Sequence, residues 1–300
     1  MSTNKSMVNF VSIIIPTYNA QKYLAKLLDK VKAQSIKDFE LIIMDSSSQD
    51  QTVELAKQYT DKVTVIPQHE FSHGGTRTKA AKTAKGDILV YMTQDALPFD
   101  EKSLEKLTAV FEDEKVAAAY GRQLPYPNEK LFGQHLRLFN YGDESYKRTY
   151  ADKETFGIKT AFLSDSFAAY RRDALEEIGW FKEDLNFGED MHAGARLLKA
   201  GYTLAYVADA KVYHSHSYTL SQEFWRYFET GKFHQQEHWL LDEFGKPEGE
   251  GMRFVKSEWN FLIQKKRYHL LALSLVRNAV KLLGYKFGKS LYKMSKGSQK

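Results

Sequence analysis

Hydrophobic residues in the first 121 positions alternate between strand-like and helix-like patterns. Short apolar, largely β-branched runs at residues 10–15 and 39–44 predict buried parallel strands. Between them, apolar side chains recur at the spacing of one helix face at Tyr23, Leu24, Leu27, Leu28 and Val31. The alternation continues with helices near 50–59, 74–84 and 101–112, and strands near 62–66, 87–93 and 116–121. This order predicts an α/β fold with a mostly parallel central sheet flanked by helices.

The second half of the chain is patterned less evenly. Residues 122–160 combine Tyr, Gly, Pro and charge without a clear period, which predicts a long excursion of loops and helices. Regular patterning then predicts a strand at 166–171, a helix at 190–199, a strand pair near 203–213 and a helix near 220–240. We therefore predict one α/β domain over residues 1–240 and a helical region over residues 241–300.

Positive charge is concentrated in that last region. The formal net charge is +5, yet ten Lys and Arg residues and no Asp or Glu follow Glu258. Over residues 268–294 they interleave with apolar residues in an amphipathic pattern. The uninterrupted apolar stretches are shorter than the roughly 20 residues that span a bilayer. We expect this region to lie on an anionic membrane surface, with a solvated helix or a partner surface as alternatives. Nucleic-acid binding is disfavoured because no nucleic-acid module accompanies the tail.

Two further features bear on location. The chain contains no cysteine, which excludes disulfides and thiolate metal sites and fits a reducing compartment. Residues 1–9 are short and polar and lack the apolar core of a signal peptide. We therefore expect a cytoplasmic protein at the inner face of the cell membrane.

Polar residues cluster where three predicted strands end. The first strand runs into Pro16-Thr17-Tyr18-Asn19, the second into Asp45, and the fourth into Gln94-Asp95. Because the carboxyl ends of parallel strands meet at one edge of a sheet, we expect one shared pocket there. No Gly-x-Gly-x-x-Gly follows the first strand, which disfavours a dinucleotide-dependent oxidoreductase.

These segments resemble the family 2 inverting glycosyltransferases of GT-A fold, and bacterial rhamnosyltransferases in particular. The resemblance is carried by residues 11–19, 41–50, 71–78, 91–96 and 187–190, together with Arg196-Leu197. It implies a nucleotide-sugar donor bound by a half of about residues 1–121 and an acceptor bound by a half of about residues 122–240. The segments at 73–77 and 94–96 favour dTDP-L-rhamnose as donor. UDP-glucose, UDP-galactose and UDP-N-acetylhexosamine remain open.

On the donor side, the resemblance implies that Asp45 accepts the imide N–H of the nucleobase. Thr17 and Tyr18 would line the base and ribose, with Pro16, Asn19 and Gln94 beside them. Asp45 as a turn residue and Tyr18 as a cover of the sheet edge are the alternatives. Ser46 stands where family members often carry a second Asp, so the donor pattern is incomplete.

A divalent cation and a basic side chain are needed to offset the charge of the leaving diphosphate. The resemblance implies Asp95 as the ligand of Mg²⁺ or Mn²⁺, with helix capping as the alternative. Gln94-Asp95-Ala96 keeps only one carboxylate of the family's Asp-x-Asp. His214 is a second candidate ligand and His216 a weaker one. Arg77 is expected either to face the diphosphate or donor sugar or to lie at the surface.

Inverting transfer needs a carboxylate to take the proton of the acceptor hydroxyl. The resemblance assigns this role to Asp190 and lets Glu189 orient it or contact the acceptor. We expect the start of a helix to lower the pKa of Asp190 and keep it ionised. Simple helix capping is the alternative for this pair. Asp165 and Trp180 either border the acceptor or serve the local structure.

The resemblance implies a lipid-linked saccharide as the acceptor and leaves a homodimer open. One rival from a different class is a catalytically silent nucleotide-sugar-binding scaffold. Gln94 and Ser46, which stand where carboxylates are usual, motivate that rival.

Overall fold

The computed structural model describes residues 10–185, 187–245 and 249–297 of the chain, and the side chains as far as residue 293. The predicted absence of a signal peptide at residues 1–9 lies outside the described residues. The side chains of Lys296 and Lys300, two members of the basic tail, also lie outside them.

The described strands form one sheet. Their bounds are β1 Val11–Thr17, β2 Phe39–Asp45, β3 Val63–Val65, β4 Ile88–Met92, β5 Leu97–Pro98, β6 Val116–Leu124, β7 Tyr146–Arg148, β8 Phe167–Arg171 and β9 Thr203–Tyr213. Their order across the sheet is β3-β2-β1-β4-β8-β6-β9-β5, with β7 also paired to β9. Pairing is parallel from β3 to β4 and between β6 and β9, whereas β8 runs antiparallel to β4 and β6.

The described helices flank this sheet and form the C-terminal region. Their bounds are α1 Gln21–Lys32, α2 Thr52–Lys57, α3 His73–Thr83, α4 Ser103–Thr108, α5 Leu131–Asn140, α6 Lys153–Phe156, α7 Arg172–Glu177, α8 Glu189–Lys199, α9 Leu220–Gln236, α10 Trp239–Phe244, α11 Glu250–Gln264 and α12 Leu270–Gly297. The predicted mixed α/β class with a helical C-terminal extension is confirmed.

Burial explains why the central strands are apolar on both faces. Ile13, Ile14 and Ile15 in β1 have no exposed surface. Successive strand residues point to opposite faces of a sheet. Ile14 accordingly packs into one hydrophobic cluster, while Ile13 and Ile15 pack into the other. Helices therefore cover both faces, and only the strand ends are free to form a site.

Two sequence predictions needed correction. The predicted strand pair near 203–213 is one strand, β9, whose register against β6 jumps from Gly121–Val207 to Arg122–Lys211. Asp209 lies exposed in this irregular stretch, which explains the break in the apolar pattern. The helix predicted near 220–240 divides into α9 and α10.

The C-terminal helices pack closely against the rest of the chain. A Cβ at Gly284 or Gly288 of α12 would lie 2.4 or 2.0 Å from a backbone oxygen of α9, so both positions require glycine. The division predicted at residue 240 falls within α10, whose Leu240, Leu241 and Phe244 belong to the core. Within the described residues, no helix is long and apolar enough to cross a membrane.

Candidate active site

The ends of β1 and β4 are joined by the side chain of Gln94. Its Oε1 accepts a hydrogen bond from the backbone N–H of Tyr18 at 2.8 Å, and its Nε2 donates to the Tyr18 carbonyl at 3.1 Å. Tyr18 itself is exposed, and the β1–β4 pairing ends at Ile14, two residues before Pro16. Gln94 therefore braces the loop that follows the first strand.

Asp45 lies fully buried at the end of β2. Its carboxylate accepts hydrogen bonds from the Ser48 backbone N–H at 2.8 Å, the Ser48 hydroxyl at 2.5 Å and the Thr17 hydroxyl at 3.0 Å. Asn19 adds to this turn, since its N–H donates to the Ser48 hydroxyl and its φ of 47° is a conformation that Asn tolerates. Asp45 therefore organises the loop after β2, and the predicted contact with a nucleobase stays a prediction.

Asp95 lies between two histidines that follow β9. His214 Nε2 is 3.5 Å from Asp95 Oδ1, His216 Nε2 is 3.4 Å from Asp95 Oδ2, and the two Nε2 atoms are 3.1 Å apart. All three ligand atoms lie within 4.8 Å of one another. One carboxylate oxygen and two imidazole nitrogens converging in this way suit a divalent cation.

The hydrogen bonds around His214 fix which of its nitrogens carries the proton. Its Nδ1 is 2.8 Å from Gln123 Oε1, an oxygen that also accepts from Arg137 Nη1 at 2.9 Å. An amide oxygen only accepts, so Nδ1 is the protonated nitrogen and Nε2 presents its lone pair toward Asp95. Burial holds the pKa of His214 well below its usual range, so the ring is neutral and able to bind a metal.

The start of α8 places two more acids in the interior. Glu189 and Asp190 follow Gly188, whose φ of 79° favours glycine. Glu189 Oε1 is 2.7 Å from Arg77 Nη1, and Asp165 Oδ2 is 3.2 Å from Arg77 Nε. Asp190 Oδ2 faces the backbone N–H of Asp165 at 3.4 Å. Three carboxylates therefore gather around one guanidinium.

Of the two positions expected for Arg77, the surface one is excluded, because its side chain is buried among the acids. One prediction about this cluster was wrong. The pKa of Asp190 is not lowered by its place in the first helical turn: burial and the neighbouring Glu189 raise it to about 7. Desolvation disfavours the charged form and here outweighs the helix dipole.

We call Asp95, His214 and His216 the metal cluster, and we call Asp165, Glu189 and Asp190 around Arg77 the acid cluster. Both clusters line the same cavity. Its volume is about 530 Å³, and its walls carry Asp95, His214 and His216 as well as Arg77, Glu189 and Asp190. Residues 16–19, Asp45 and Gln94 do not line it. They lie at the adjoining strand ends, linked through the Gln94–Tyr18 and Asp45–Thr17 contacts. The structure thus unites the predicted metal and base residues and leaves the predicted nucleobase residues beside them.

Sequence reasoning missed or underrated three residues at this cavity. Asp165 is buried in the acid cluster, and His216 completes the metal cluster. Arg226 of α9 was not predicted at all. Its guanidinium lies 5.5 Å from the ring centres of both Phe187 and Tyr218. Among the described residues, this guanidinium makes no ion pair or hydrogen bond. Trp180, by contrast, does not line the cavity and packs against the core.

Comparison with known proteins identifies the family. The sequence model described as "Glycosyl transferase family 2" matches residues 12–179. The chain is also 44% identical to the O-antigen chain rhamnosyltransferase RfbN of Salmonella typhimurium, over 93% of this chain and 89% of that protein. The chain is a family 2 glycosyltransferase. It is 44% identical as well to the O-antigen chain rhamnosyltransferase WbaN of Salmonella anatum, again over 93% and 89%.

Solved structures show that this glycosyltransferase shares its fold with known enzymes. A mannosyltransferase of Pyrobaculum calidifontis, PcManGT, in complex with GDP-Man and Mn²⁺ superposes with a TM-score of 0.60 at 18% identity, over 95% of this chain and 83% of that one. Residues 1–349 of S. aureus TarS, in complex with UDP-GlcNAc, superpose with a TM-score of 0.57 at 16% identity, over 95% and 92%. The GT-A fold expected from the sequence is confirmed.

The glycosyltransferase departs from its family's pattern at two positions, and the structure shows what stands there. Gln94, which stands where the resemblance leads us to expect a carboxylate, braces the loop at Tyr18. Ser46, in place of a second Asp after β2, is buried, and its hydroxyl has no hydrogen-bond partner among the described residues. Among the described residues, Asp95 is the one acid of the metal cluster, and the two histidines are the other side chains that could bind a metal there.

Proposed function

We propose that this glycosyltransferase moves L-rhamnose from dTDP-L-rhamnose onto a hydroxyl of a lipid-linked cell-surface polysaccharide precursor, with inversion at the anomeric carbon. The observation that carries the proposal is the single cavity lined by the metal cluster and by Asp190. The 44% identity to two O-antigen chain rhamnosyltransferases supports the sugar and the kind of acceptor.

Asp190 is the proposed base. The acceptor oxygen forms a bond to the anomeric carbon as the bond from that carbon to the diphosphate breaks. The electron pair of the broken bond leaves with dTDP, and the hydroxyl proton passes to the Asp190 carboxylate. A pKa of about 7 suits this task, because a base whose pKa lies near the working pH is ionised in about half of the molecules and is still basic enough to hold the proton.

Asp95, His214 and His216 are the proposed ligands of a divalent cation. Such an ion, when bound, offsets the negative charge that develops on the departing diphosphate. Two imidazoles and one carboxylate favour Mn²⁺ over Mg²⁺, because Mg²⁺ prefers a shell of oxygens. The complex of PcManGT with GDP-Man and Mn²⁺ supports a divalent cation.

Arg226 is the proposed phosphate-binding side chain. Its guanidinium is held over the rings of Phe187 and Tyr218, and Tyr218 lies against His216 of the metal cluster. No described carboxylate pairs with it, so its N–H groups are available to phosphate oxygens.

The outer face of α12 is the proposed contact with the inner face of the cell membrane. Leu275, Val276, Leu282 and Leu283 are exposed on it, away from the glycines that face α9. Lys286 and Lys293 project from the same side, and each Lys or Arg near an anionic lipid surface adds about 1 kcal/mol of attraction. Lys281, on the inner side of α12, lines the active-site cavity. The helix would therefore hold the cavity next to the lipid that carries the acceptor.

Membrane contact is tested by sedimentation with vesicles of phosphatidylglycerol and phosphatidylcholine, compared with phosphatidylcholine alone. The paired substitution of Leu282→Asp and Leu283→Asp should abolish binding to the anionic vesicles. Val65→Asp, at an exposed apolar position on β3, is the matched control and should leave binding intact. Equal binding by all three proteins would contradict a contact through α12. The possible homodimer stays a prediction.

Donor use is tested with a panel of dTDP-rhamnose, UDP-glucose, UDP-galactose and UDP-N-acetylglucosamine in the presence of Mn²⁺. We expect turnover with dTDP-rhamnose, and turnover with UDP-hexoses alone would contradict the rhamnosyl assignment. Asp190→Asn should lose transfer and keep donor binding. A scaffold without activity would show no transfer in the unmodified protein.

A further inference from the structure

The His73-Gly74-Gly75-Thr76-Arg77 segment places an arginine inside the acid cluster. A Cβ at Gly74 would lie 2.1 Å from the backbone oxygen of Lys182. Helix α3 therefore approaches the backbone at Lys182 at a distance that only glycine allows. This close approach brings Arg77 to Glu189, 112 positions further along the chain. Gly74 therefore allows the close packing of α3 that places Arg77 next to Glu189.

The charges in this cluster do not balance. Arg77 is the only described guanidinium in ion-pair contact with Asp165 and Glu189, and Asp190 lies beside both acids. Arg77, Asp165 and Glu189 are buried, and Asp190 is partly exposed where it lines the cavity. Three carboxylates held in the interior against one positive charge cannot all ionise freely.

We propose that Arg77 and Asp165 are positioning residues that set the pH at which the base Asp190 becomes active. Arg77 holds the charges of Glu189 and Asp165, which would otherwise act on Asp190 without compensation. Asp165 acts in the opposite sense: its backbone N–H faces Asp190 Oδ2 at 3.4 Å, and the charge of Asp190 raises the pKa of the Asp165 carboxyl, so the two carboxylates repel each other when both are ionised. The inference rests on the proposed function in taking Asp190 as the base.

One histidine and three tyrosines around the cluster are uncharged near neutral pH. On α3, burial lowers the pKa of His73 to about 4. Burial raises the pKa of Tyr91 on β4, of Tyr170 on β8 and of Tyr141 after α5. Tyr170 donates a hydrogen bond to Asp165 Oδ1 at 2.6 Å, and Tyr91 donates to the Arg77 carbonyl at 3.3 Å. Arg137, Arg226 and Lys281 line the same cavity, but among the described residues only Arg77 is in ion-pair contact with Asp165 and Glu189.

The experiment is the pH dependence of kcat/KM for rhamnosyl transfer in matched charge variants. Asp165→Asn removes a negative charge and keeps an oxygen for the Tyr170 hydrogen bond. It should move the acidic limb of the profile down by about one pH unit or more. Arg77→Gln removes the positive charge and should move the limb up by a similar amount. Asp184→Asn, at an exposed acid, is the control and should leave the limb in place.

Opposite shifts are the result that a purely structural role cannot give, because misfolding lowers kcat without moving the limb in a charge-dependent direction. Arg77→Lys keeps the positive charge, so the acidic limb of its profile should lie near that of the unmodified enzyme. If Arg77→Gln does not fold, Arg77→Lys and Asp165→Asn still test the inference. Shifts in the same direction, or no shift in Asp165→Asn, would overturn the inference. If Asp190→Asn still transferred rhamnose, the proposed function itself would fail instead.

Discussion

Replacing Asp190 by Asn should make the protein more stable while removing its activity. The pKa of Asp190 is raised to about 7 by burial and by Glu189, from an ordinary value near 3.8. The folded state thus prefers the protonated acid more strongly than the unfolded chain does. Ionisation of Asp190 therefore costs stability, and this cost grows as the pH rises from about 4 to about 7.

The shift sets the size of the effect. Each pKa unit corresponds to about 1.4 kcal/mol, so a shift of about three units corresponds to at most about 4 kcal/mol at pH 8. Asn carries no charge, keeps the shape, and keeps an oxygen for the Met191 N–H, which Asp190 Oδ1 accepts at 2.7 Å. We expect the free energy of unfolding of the variant to exceed that of the unmodified protein by about 2 to 4 kcal/mol at pH 8, and by much less at pH 5.

Urea unfolding at pH 5 and pH 8 measures both differences. Asp209→Asn is the matched control, because the Asp209 side chain is 81% exposed and the substitution should change stability equally little at both pH values. A lower stability of Asp190→Asn at pH 8, or a gain that does not depend on pH, would refute the burial argument for the base.

Further predictions concern the metal, the phosphates and the C-terminal helix. Gln123→Ala removes the partner of His214 Nδ1 and should weaken Mn²⁺ binding about 10- to 100-fold by calorimetry, as outer-shell substitutions do. Arg226→Ala should raise the KM for dTDP-rhamnose and the inhibition constant of dTDP together, and Arg226→Lys should restore part of both; unchanged constants would remove Arg226 from the phosphate site. Gly288→Leu places a side chain where a Cβ would meet the Phe228 oxygen at 2.0 Å, and should lower the free energy of unfolding by about 3 kcal/mol or more. Gly142→Ala, where a Cβ meets nothing within 4 Å, should change it by less than about 0.5 kcal/mol.

Local pattern was sufficient to locate the strand ends of the site. Runs such as residues 11–15 are apolar on both faces because they are buried on both faces, and such runs identify parallel strands. Parallel strands bring their carboxyl ends to one edge, which is why Thr17, Asp45 and Asp95 could be placed near one another before the structure was known. The same logic could not separate a residue that faces the cavity from one that braces a loop, such as Gln94.

Contacts between segments that lie far apart in the chain could not be predicted from the sequence. Arg77 meets Glu189 only because α3 and α8 pack together across 112 positions, so its burial could not be read from its polar surroundings. The raised pKa of Asp190 has the same origin, since its place in the first turn of α8 indicates a lowered pKa and only the folded interior reverses that expectation. Arg226 had one local signal, its place in the aromatic run Phe224-Trp225-Arg226-Tyr227, which is also typical of a helix on the surface.

The central claim is that the leaving diphosphate and the catalytic base meet in one cavity. A crystal structure of Asp190→Asn soaked with dTDP-rhamnose and Mn²⁺ tests it most directly, because the variant should bind the donor without consuming it. We predict that the Mn²⁺ ion is bound by Asp95, His214 and His216, with the rhamnose ring between this ion and residue 190. A nucleotide bound on another surface, or a metal away from these three side chains, would contradict the account.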